Sequence, residues 1–323
     1  MIKFIPSLLV KPFLYIGLVV VLKHALCIVY WVLNCLKCKI FVRRLRSYGD
    51  TVIITGCTDG IGKSLAYSLI REDVNLFLIS RNEDALKSMK EDLLVRNRNY
   101  KGQIDYATFD YNTNSFNSYR GIQEKIEKLD VGILINNVGV SYPHPMYFHE
   151  MDIHLIEQLV NVNLLASYYM TKLVLPAMLR KKKGLILYTS SGAATLQSSP
   201  LYTVYASVKE AISSFANSLS VELREQNIQV QCHAPLFIVT KMSKIRKPSA
   251  FVPTPDAYAK SAIKTMKEGN STSSTVISSP YFLHRVQICI YNAVPKLWFD
   301  TISFMTHKAV RQRALKRKVR KSD

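Results

Sequence analysis

Acidic residues are scarce in this 323-residue chain, and both of its ends nearly lack them. Residues 1–49 hold eight Lys and Arg and no acid, and residues 307–323 hold eight against Asp323 alone. Most of the formal net charge of +20 therefore lies beside apolar segments. Basic residues in that position are typical of contact with anionic lipid headgroups rather than with phosphodiesters, so the charge does not indicate nucleic-acid binding.

Patterns that would indicate disulfides or a metal are also missing. The six cysteines are scattered and form no disulfide framework, which indicates a reducing compartment for the central part of the chain. Cys35 and Cys38 form a CxxC pair, but no second pair follows to complete a zinc site. The histidines show no metal-ligand spacing on a shared face. The sequence therefore predicts no metal.

The ends of the chain indicate membrane contact. Residues 13–36 are apolar apart from Lys23, His24 and Asn34, cover about one bilayer thickness and precede a basic cluster. They predict an anchor rather than a cleaved signal peptide, and Lys23 leaves open whether it spans, forms a hairpin or lies in the interface. The positive-inside rule places the rest in the cytosol. A second apolar stretch, 280–305, is interrupted by charges and predicts an interfacial segment.

Short apolar runs alternate with helical stretches between the ends. Such runs are typical of a parallel sheet covered on both faces, so we predict an α/β fold with a Rossmann-type, doubly wound parallel sheet. The runs begin at Thr51, Asn75, Gly132, Gly184 and Ile228. The predicted organisation is a membrane anchor at residues 1–46, a central Rossmann-type domain at 47–268, and a C-terminal hydrophobic segment with a basic tail at 269–323.

A glycine-rich turn follows the first run. Glycines let the chain turn tightly and bring bare backbone and a helix N-terminus against a pyrophosphate. The predicted contacts are Thr55, Gly56, Thr58, Asp59, Gly60, Ile61 and Gly62. The second run ends in Ser80 and Arg81, where NAD-binding domains carry an acid for the ribose hydroxyls. An arginine there can bind a 2′-phosphate, which favours NADPH over NADH.

A catalytic tyrosine is predicted by YxxxK at Tyr205 and Lys209, four residues apart on one helix face. We expect the ammonium to lower the pKa of the phenol. Tyr168 also begins a YxxxK match, but no serine lies 13 or 14 residues before it, so we interpret it as structural. Ser191 lies 14 residues before Tyr205 at a strand end. The spacing leaves Ser190 as the alternative to Ser191.

The order of these motifs resembles the short-chain dehydrogenase/reductase family. The TGxxxGxG pattern at residues 55–62 and the NNVG pattern at 136–139 match that family, the second with Val for Ala. The resemblance implies that Asn163 supports Lys209 through a water and that Asp110 contacts adenine. It also implies further cofactor contacts at Asn137, Gly139, Pro235, Ile238 and Thr240.

A narrower resemblance is to the very-long-chain 3-oxoacyl-CoA reductases and the related 17β-hydroxysteroid dehydrogenases of type 12. It rests on residues 58–63, 129–137 and 141–143 and on Leu236 in place of the family's glycine. It implies NADPH-dependent reduction of a long-chain 3-oxoacyl-CoA in fatty-acid elongation at the endoplasmic reticulum membrane, next to other elongation enzymes. CoA phosphates could meet Lys241, Lys244, Arg246 and Lys247.

Two alternative functions stay open after this resemblance. The same residues would serve a hydroxysteroid or retinoid dehydrogenase. A non-catalytic scaffold of the elongation enzymes would not need Ser191, Tyr205, Lys209 and Asn163. A homodimer is an expectation taken from the family alone.

Overall fold

Seven parallel strands form one sheet in the computed structural model, which describes residues 43–269 and 276–322 and, near the N-terminus, 11–12, 14–19, 21–23, 25–26 and 29. The predicted membrane anchor thus lies mostly outside the described residues. The strand order is β3-β2-β1-β4-β5-β6-β7. The strands are β1 Thr51–Thr55, β2 Asn75–Ser80, β3 Ile104–Thr108, β4 Val131–Asn136, β5 Gly184–Thr189, β6 Ile228–His233 and β7 Ile277–Ser278.

Helices cover both faces of the sheet, which confirms the predicted doubly wound Rossmann-type fold. The central strands β1 and β4 are buried along their whole length, as their apolar sequences require. The helices are α1 Gly60–Leu69, α2 Glu83–Arg96, α3 Arg120–Ile126, α4 Ile153–Val160, α5 Ala166–Lys181, α6 Thr203–Glu222, α7 Pro255–Glu268, α8 Phe282–Ala293 and α9 Lys296–Ser322.

The catalytic domain does not stop at the predicted boundary of residue 268. Strand β7 adds to the sheet beside β6, and helices α8 and α9 pack on loops of the domain. Two residues are too short to give a periodic pattern, which explains why β7 was not predicted. The predicted interfacial segment, residues 280–305, therefore packs against the folded domain with at least one of its sides.

One stretch in the described part of the chain is long and apolar enough to cross a membrane. It runs from Ile153 to Lys181 through α4, a π-helical turn at Asn161–Leu165, and α5. Met170, Val174 and Met178 on this stretch are fully buried in the core against the sheet. Its apolar character is therefore explained by core packing.

Candidate active site

The predicted site residues meet at the carboxyl edge of the sheet, around the point between β1 and β4 where the strand order reverses. The loops after β1, β4, β5 and β6 contribute most of them. Parallel strands bring residues that are far apart in sequence to one edge, which gives an α/β fold its usual place for a ligand.

The glycine-rich turn is locked to the loop after β4. Thr55 Oγ1 accepts hydrogen bonds from the backbone N–H groups of Asn137 and Val138, each at 3.0 Å. The Asn137 amide donates to the carbonyls of Thr55 and Gly56 at 3.2 and 3.1 Å. A Cβ at Gly62 would lie 2.3 Å from the carbonyl oxygen of Gly56. Glycine is therefore required for this close approach, which leaves bare backbone at the start of α1.

The N-terminus of α1 has the backbone geometry of an anion-binding site. Asp59 caps the helix by accepting a hydrogen bond from Gly60 N–H at 2.7 Å. Gly60 has a φ of +53°, a conformation that glycine adopts without strain. The N–H groups of Ile61 and Gly62 come next in the first turn, where the helix itself supplies no acceptor, so they can face a pyrophosphate.

The residues predicted to select the cofactor lie beside this turn. Ser80 is buried, and its hydroxyl lies 2.9 Å from that of Thr58, which joins the end of β2 to the turn. Arg81 follows on the exposed surface. Asp110 is exposed after β3, and one of its carboxylate oxygens accepts a hydrogen bond from Asn112 N–H at 3.0 Å.

Tyr205 and Lys209 share one face of α6, as their spacing predicts. Lys209 is only 4% exposed, and its Nζ donates to the Thr189 carbonyl at 2.9 Å and lies 6.0 Å from the centre of the Tyr205 ring. Burial lowers the pKa of Lys209 to about 8. Burial also raises the pKa of Tyr205, and a hydrogen bond with Ser191 opposes that rise.

Burial sets the net direction of the Tyr205 pKa, and the lowering of that pKa by Lys209 stays a prediction. The physical reason is that burial disfavours both charged forms, the phenolate as well as the ammonium. A phenol with a raised pKa stays protonated at neutral pH. That state suits a proton donor.

The structure separates the two neighbouring serines. Ser190 is buried beneath α6, where its hydroxyl donates to the Lys209 carbonyl and pairs with Ser213, both at 2.8 Å. Ser191 lies beside Tyr205, whose pKa it lowers, and its hydroxyl accepts from Ala193 N–H at 3.2 Å. The geometry favours Ser191 over Ser190 as the residue that meets a substrate.

Asn163 lies in the π-helical turn, which the sequence did not predict. Its amide nitrogen donates to the carbonyls of Val140 and Leu159 at 3.0 and 2.9 Å, and its oxygen accepts from Val140 N–H at 3.2 Å. A Cβ at Gly139 would lie 2.8 Å from Asn163 Oδ1 and 3.4 Å from Lys209 Nζ. Asn163 thus fastens the loop after β4 beside the lysine.

The segment after β6 closes the cleft near Ser191. The Pro235 carbonyl accepts a hydrogen bond from Gly192 N–H at 2.6 Å, and the Leu236 side chain packs on Gly192. Further along, Ile238 is buried, and Thr240 exchanges hydrogen bonds with Ser243. These contacts hold three of the predicted cofactor residues, Pro235, Ile238 and Thr240, in one loop.

His284 is a site residue that sequence reasoning missed. It is fully buried at the start of α8, its Nδ1 accepts from Leu236 N–H at 3.3 Å, and its Nε2 lies 3.2 Å from the Phe251 carbonyl. Both contacts are satisfied by the neutral tautomer that carries its proton on Nε2. Burial lowers the pKa of His284, which favours this neutral form. No spacing in the sequence relates residue 284 to residue 236.

The basic loop that follows is partly engaged. Lys241 forms an exposed ion pair with Asp59 at 3.2 Å, and Lys244 donates to the carbonyl of Pro143 across the cleft mouth. Arg246 and Lys247 are exposed. Lys244 therefore already has a structural role, and Arg246 and Lys247 are better placed to meet a solvent-borne phosphate. Within the described residues, no group of His, Cys, Asp and Glu could hold a metal.

The fold, and the residues at the carboxyl edge of its sheet, are those of a short-chain dehydrogenase. The family model described as short chain dehydrogenase matches residues 50–249, and the chain belongs to that family of oxidoreductases. Among curated proteins, it is 38% identical over 264 residues to a very-long-chain 3-oxoacyl-CoA reductase-like protein of Arabidopsis thaliana, covering 80% of this chain and 81% of that one. It is 36% identical over 275 residues to the very-long-chain 3-oxoacyl-CoA reductase of Homo sapiens, covering 83% of both chains.

A solved structure supports the fold. The short-chain dehydrogenase of Sphingobium yanoikuyae in complex with NADPH matches with a TM-score of 0.62 and 19% identity, covering 80% of this chain and 94% of that one.

Proposed function

We propose that the protein reduces long-chain 3-oxoacyl-CoA to 3-hydroxyacyl-CoA with NADPH, the reductive step of fatty-acid elongation. The observation that carries the proposal is the cluster of Ser191, Tyr205 and Lys209 at the carboxyl edge of the sheet, which also carries the glycine-rich turn. The names of its relatives supply the substrate class.

The residues present fit a phosphorylated dinucleotide. The pyrophosphate would lie on the glycine-rich turn from Thr55 to Gly62, and the 2′-phosphate would meet Arg81 and Ser80. Asp110, Asn137 and Gly139 would line the adenosine and ribose side, and Pro235, Ile238 and Thr240 the nicotinamide side. NADPH, when bound, supplies the hydride that the carbonyl carbon accepts.

The chain's own residues handle the proton. Ser191 donates a hydrogen bond to the substrate's carbonyl oxygen and so polarises it, and Tyr205 transfers its phenolic proton to that oxygen. Lys209, held by the Thr189 carbonyl, stabilises the negative charge left on the phenolate and returns a proton along the relay that Asn163 supports. The raised pKa of Tyr205 keeps the donor protonated before the reaction.

The test is NADPH oxidation by detergent-purified protein with a C16-type 3-oxoacyl-CoA. Tyr205→Phe should lower kcat by at least about 10²-fold, since it removes the general acid. Tyr168→Phe is the matched control, because Tyr168 also begins a YxxxK match but packs against Phe215 with ring centres 4.4 Å apart. Equal losses in both variants would contradict the assignment.

Two other functions are separated by a substrate panel and by a rescue experiment in cells. Turnover of steroids or retinoids alone would favour a hydroxysteroid or retinoid dehydrogenase. Retained rescue by Tyr205→Phe in cells that lack the native protein would favour a non-catalytic scaffold. The neighbouring Ser191 and Tyr205 side chains speak against the scaffold, since a scaffold has no use for this pair.

We place the protein at the endoplasmic reticulum membrane with its catalytic domain in the cytosol. The support is the apolar segment at residues 13–36, the basic cluster after it, and a substrate with a long acyl chain. Protease added to sealed microsomes should cleave the catalytic domain, and full protection would contradict this orientation. Association with other elongation enzymes and with a second copy belongs to the same proposal and is tested by crosslinking in microsomes.

A further inference from the structure

Helix α9 presents two different faces. Its inward face packs on the catalytic domain through Phe299, which is buried, and through Asp300, His307 and Arg311.

The inward face contacts two loops of the catalytic domain. Ser198 Oγ donates to the Asp300 carboxylate at 2.6 Å, and His307 Nδ1 lies 2.7 Å from the Pro200 carbonyl. Both partners lie between Ser191 and Tyr205 in the sequence. Arg311 bonds the Pro145 carbonyl at 3.2 Å and Glu150 at 2.8 Å, in the segment that follows β4. The helix therefore lies along the mouth of the cleft.

The outward face begins apolar. Trp298, Ile302 and Met305 follow the i, i+4, i+7 spacing that aligns side chains on one face of a helix, and Leu297 lies beside them. Their exposed fractions lie between 60% for Met305 and 76% for Leu297. Exposed apolar side chains in a row on one helix indicate a surface that binds a partner. We call these four residues the apolar face of α9.

The outward face continues as a basic surface. Lys308, Arg313, Lys316 and Arg317 are exposed on the turns that follow the apolar face. From residue 301 to residue 322 the sequence holds eight Lys and Arg and no acid. Tryptophan beside aliphatic residues, followed by uncompensated basic residues, is typical of a helix that lies in the interface of an anionic bilayer.

We propose that the apolar face of α9 docks on an anionic lipid surface and holds the mouth of the cleft at the bilayer. This inference deepens the proposed function, because it rests on the membrane attachment proposed for the N-terminal segment. The apolar face enters the headgroup region, and the basic turns meet anionic headgroups. The inward face keeps the loops around Tyr205 next to the lipid surface. A long acyl substrate then enters from the membrane without crossing water.

The chain is suited to a direct test, because Trp31 and Trp298 are its only tryptophans. In Trp31→Phe, emission reports on α9 alone. The full chain is placed in lipid nanodiscs of phosphatidylcholine and phosphatidylserine, with and without bromine on the acyl chains. We expect brominated lipid to remove about half of the Trp298 emission, since an interfacial helix buries its apolar face roughly 5–10 Å into the bilayer boundary.

A matched control moves the tryptophan elsewhere. The variant Trp31→Phe/Trp298→Phe/Val95→Trp carries a single tryptophan on α2, where Val95 is 68% exposed, as Trp298 is. Its emission should not change with brominated lipid. Equal emission losses at positions 95 and 298, or no loss at position 298, would overturn the proposal. A blue-shifted Trp298 emission that bromine does not quench would assign the face to another segment or a second copy.

The charge requirement is tested separately. Replacing phosphatidylserine by phosphatidylcholine, or introducing Arg313→Gln/Lys316→Gln/Arg317→Gln, should reduce quenching of Trp298. Quenching that is unchanged in both would overturn the anionic part of the proposal. Co-elution of protein and nanodiscs reports on the N-terminal attachment, and turnover reports on the reaction. Failure of α9 to dock is therefore distinguishable from failure of the proposed function.

Discussion

The two sides of the cleft are built differently. On the cofactor side, backbone meets backbone: the glycine-rich turn and the loop after β4 approach so closely that a Cβ at Gly62 would overlap the Gly56 carbonyl. On the substrate side, which shares the loop after β6 with the predicted nicotinamide contacts, single side chains from α8 and α9 hold the loops, as His284 holds Leu236 and Arg311 holds Glu150. The first arrangement tolerates almost no substitution, whereas the second can be changed one contact at a time.

The largest effect is expected at Gly62. Gly62→Ala places a Cβ 2.3 Å from the Gly56 carbonyl and 2.5 Å from the Asn137 amide, so the turn must open. We expect a loss of about 2–3 kcal/mol in the free energy of unfolding and no measurable NADPH binding. Urea unfolding and NADPH fluorescence titration check this.

The matched control is Gly121→Ala in α3, where a Cβ would meet nothing within 4 Å. Alanine is the better helix former, so this variant should be neutral or slightly more stable. If Gly62→Ala bound NADPH like the wild type, the cofactor side would not depend on close backbone packing.

On the substrate side, the largest effect is expected at His284. His284→Phe leaves the Leu236 N–H and the Phe251 carbonyl without their partner, which should cost about 2 kcal/mol of unfolding free energy. The loop bearing Ile238 and Thr240 should loosen, so kcat/KM should fall about tenfold. His154→Phe is the control, since His154 is exposed on α4. Equal effects of the two substitutions would contradict the role of His284 in holding the loop that contains Leu236.

The cofactor side could be predicted from the sequence because its signals are local. Thr55 to Gly62 lie in one turn, and Tyr205 and Lys209 lie on one helix face, so spacing alone brings them together. The substrate side depends on pairs such as Leu236 and His284 or Glu150 and Arg311, whose separation follows no helical or strand period. The π-helical turn at Asn161–Leu165 was missed for a related reason, since an ordinary helical sequence can take one wider turn under tertiary packing.

The pH dependence of stability provides a further test, at the end of β6 between the cofactor side and the substrate side. His233 ends β6 and is 2% exposed, and burial lowers its pKa to about 3. Because the folded pKa lies below the unfolded value, the unfolded state binds more protons between about pH 6.5 and pH 3. Stability should therefore fall as the solution is acidified from pH 7, by about 2 kcal/mol at pH 5 from this group.

The variant His233→Gln separates this group from other titrating residues. Glutamine can still donate to Gln231, which His233 Nε2 contacts at 3.2 Å, but it does not titrate. Urea unfolding at pH 7 and pH 5 should show a smaller acid loss in the variant than in the wild type. Parallel losses in both proteins would mean that His233 keeps an ordinary pKa.

The smallest effect on stability and activity is expected at Arg311, where α9 lies at the mouth of the cleft. It tests whether the substrate side can be changed without affecting the cofactor side. Arg311→Ala removes two hydrogen bonds, to Pro145 and Glu150, from a side chain that is 16% exposed. We expect about 1 kcal/mol less unfolding free energy and about a threefold lower kcat/KM for the acyl substrate, while the Kd of NADPH stays unchanged. The control is Gln312→Ala, which alters the exposed neighbour only. A weaker NADPH affinity in Arg311→Ala would mean that the two sides are coupled through the sheet edge, because Arg311 contacts only substrate-side loops.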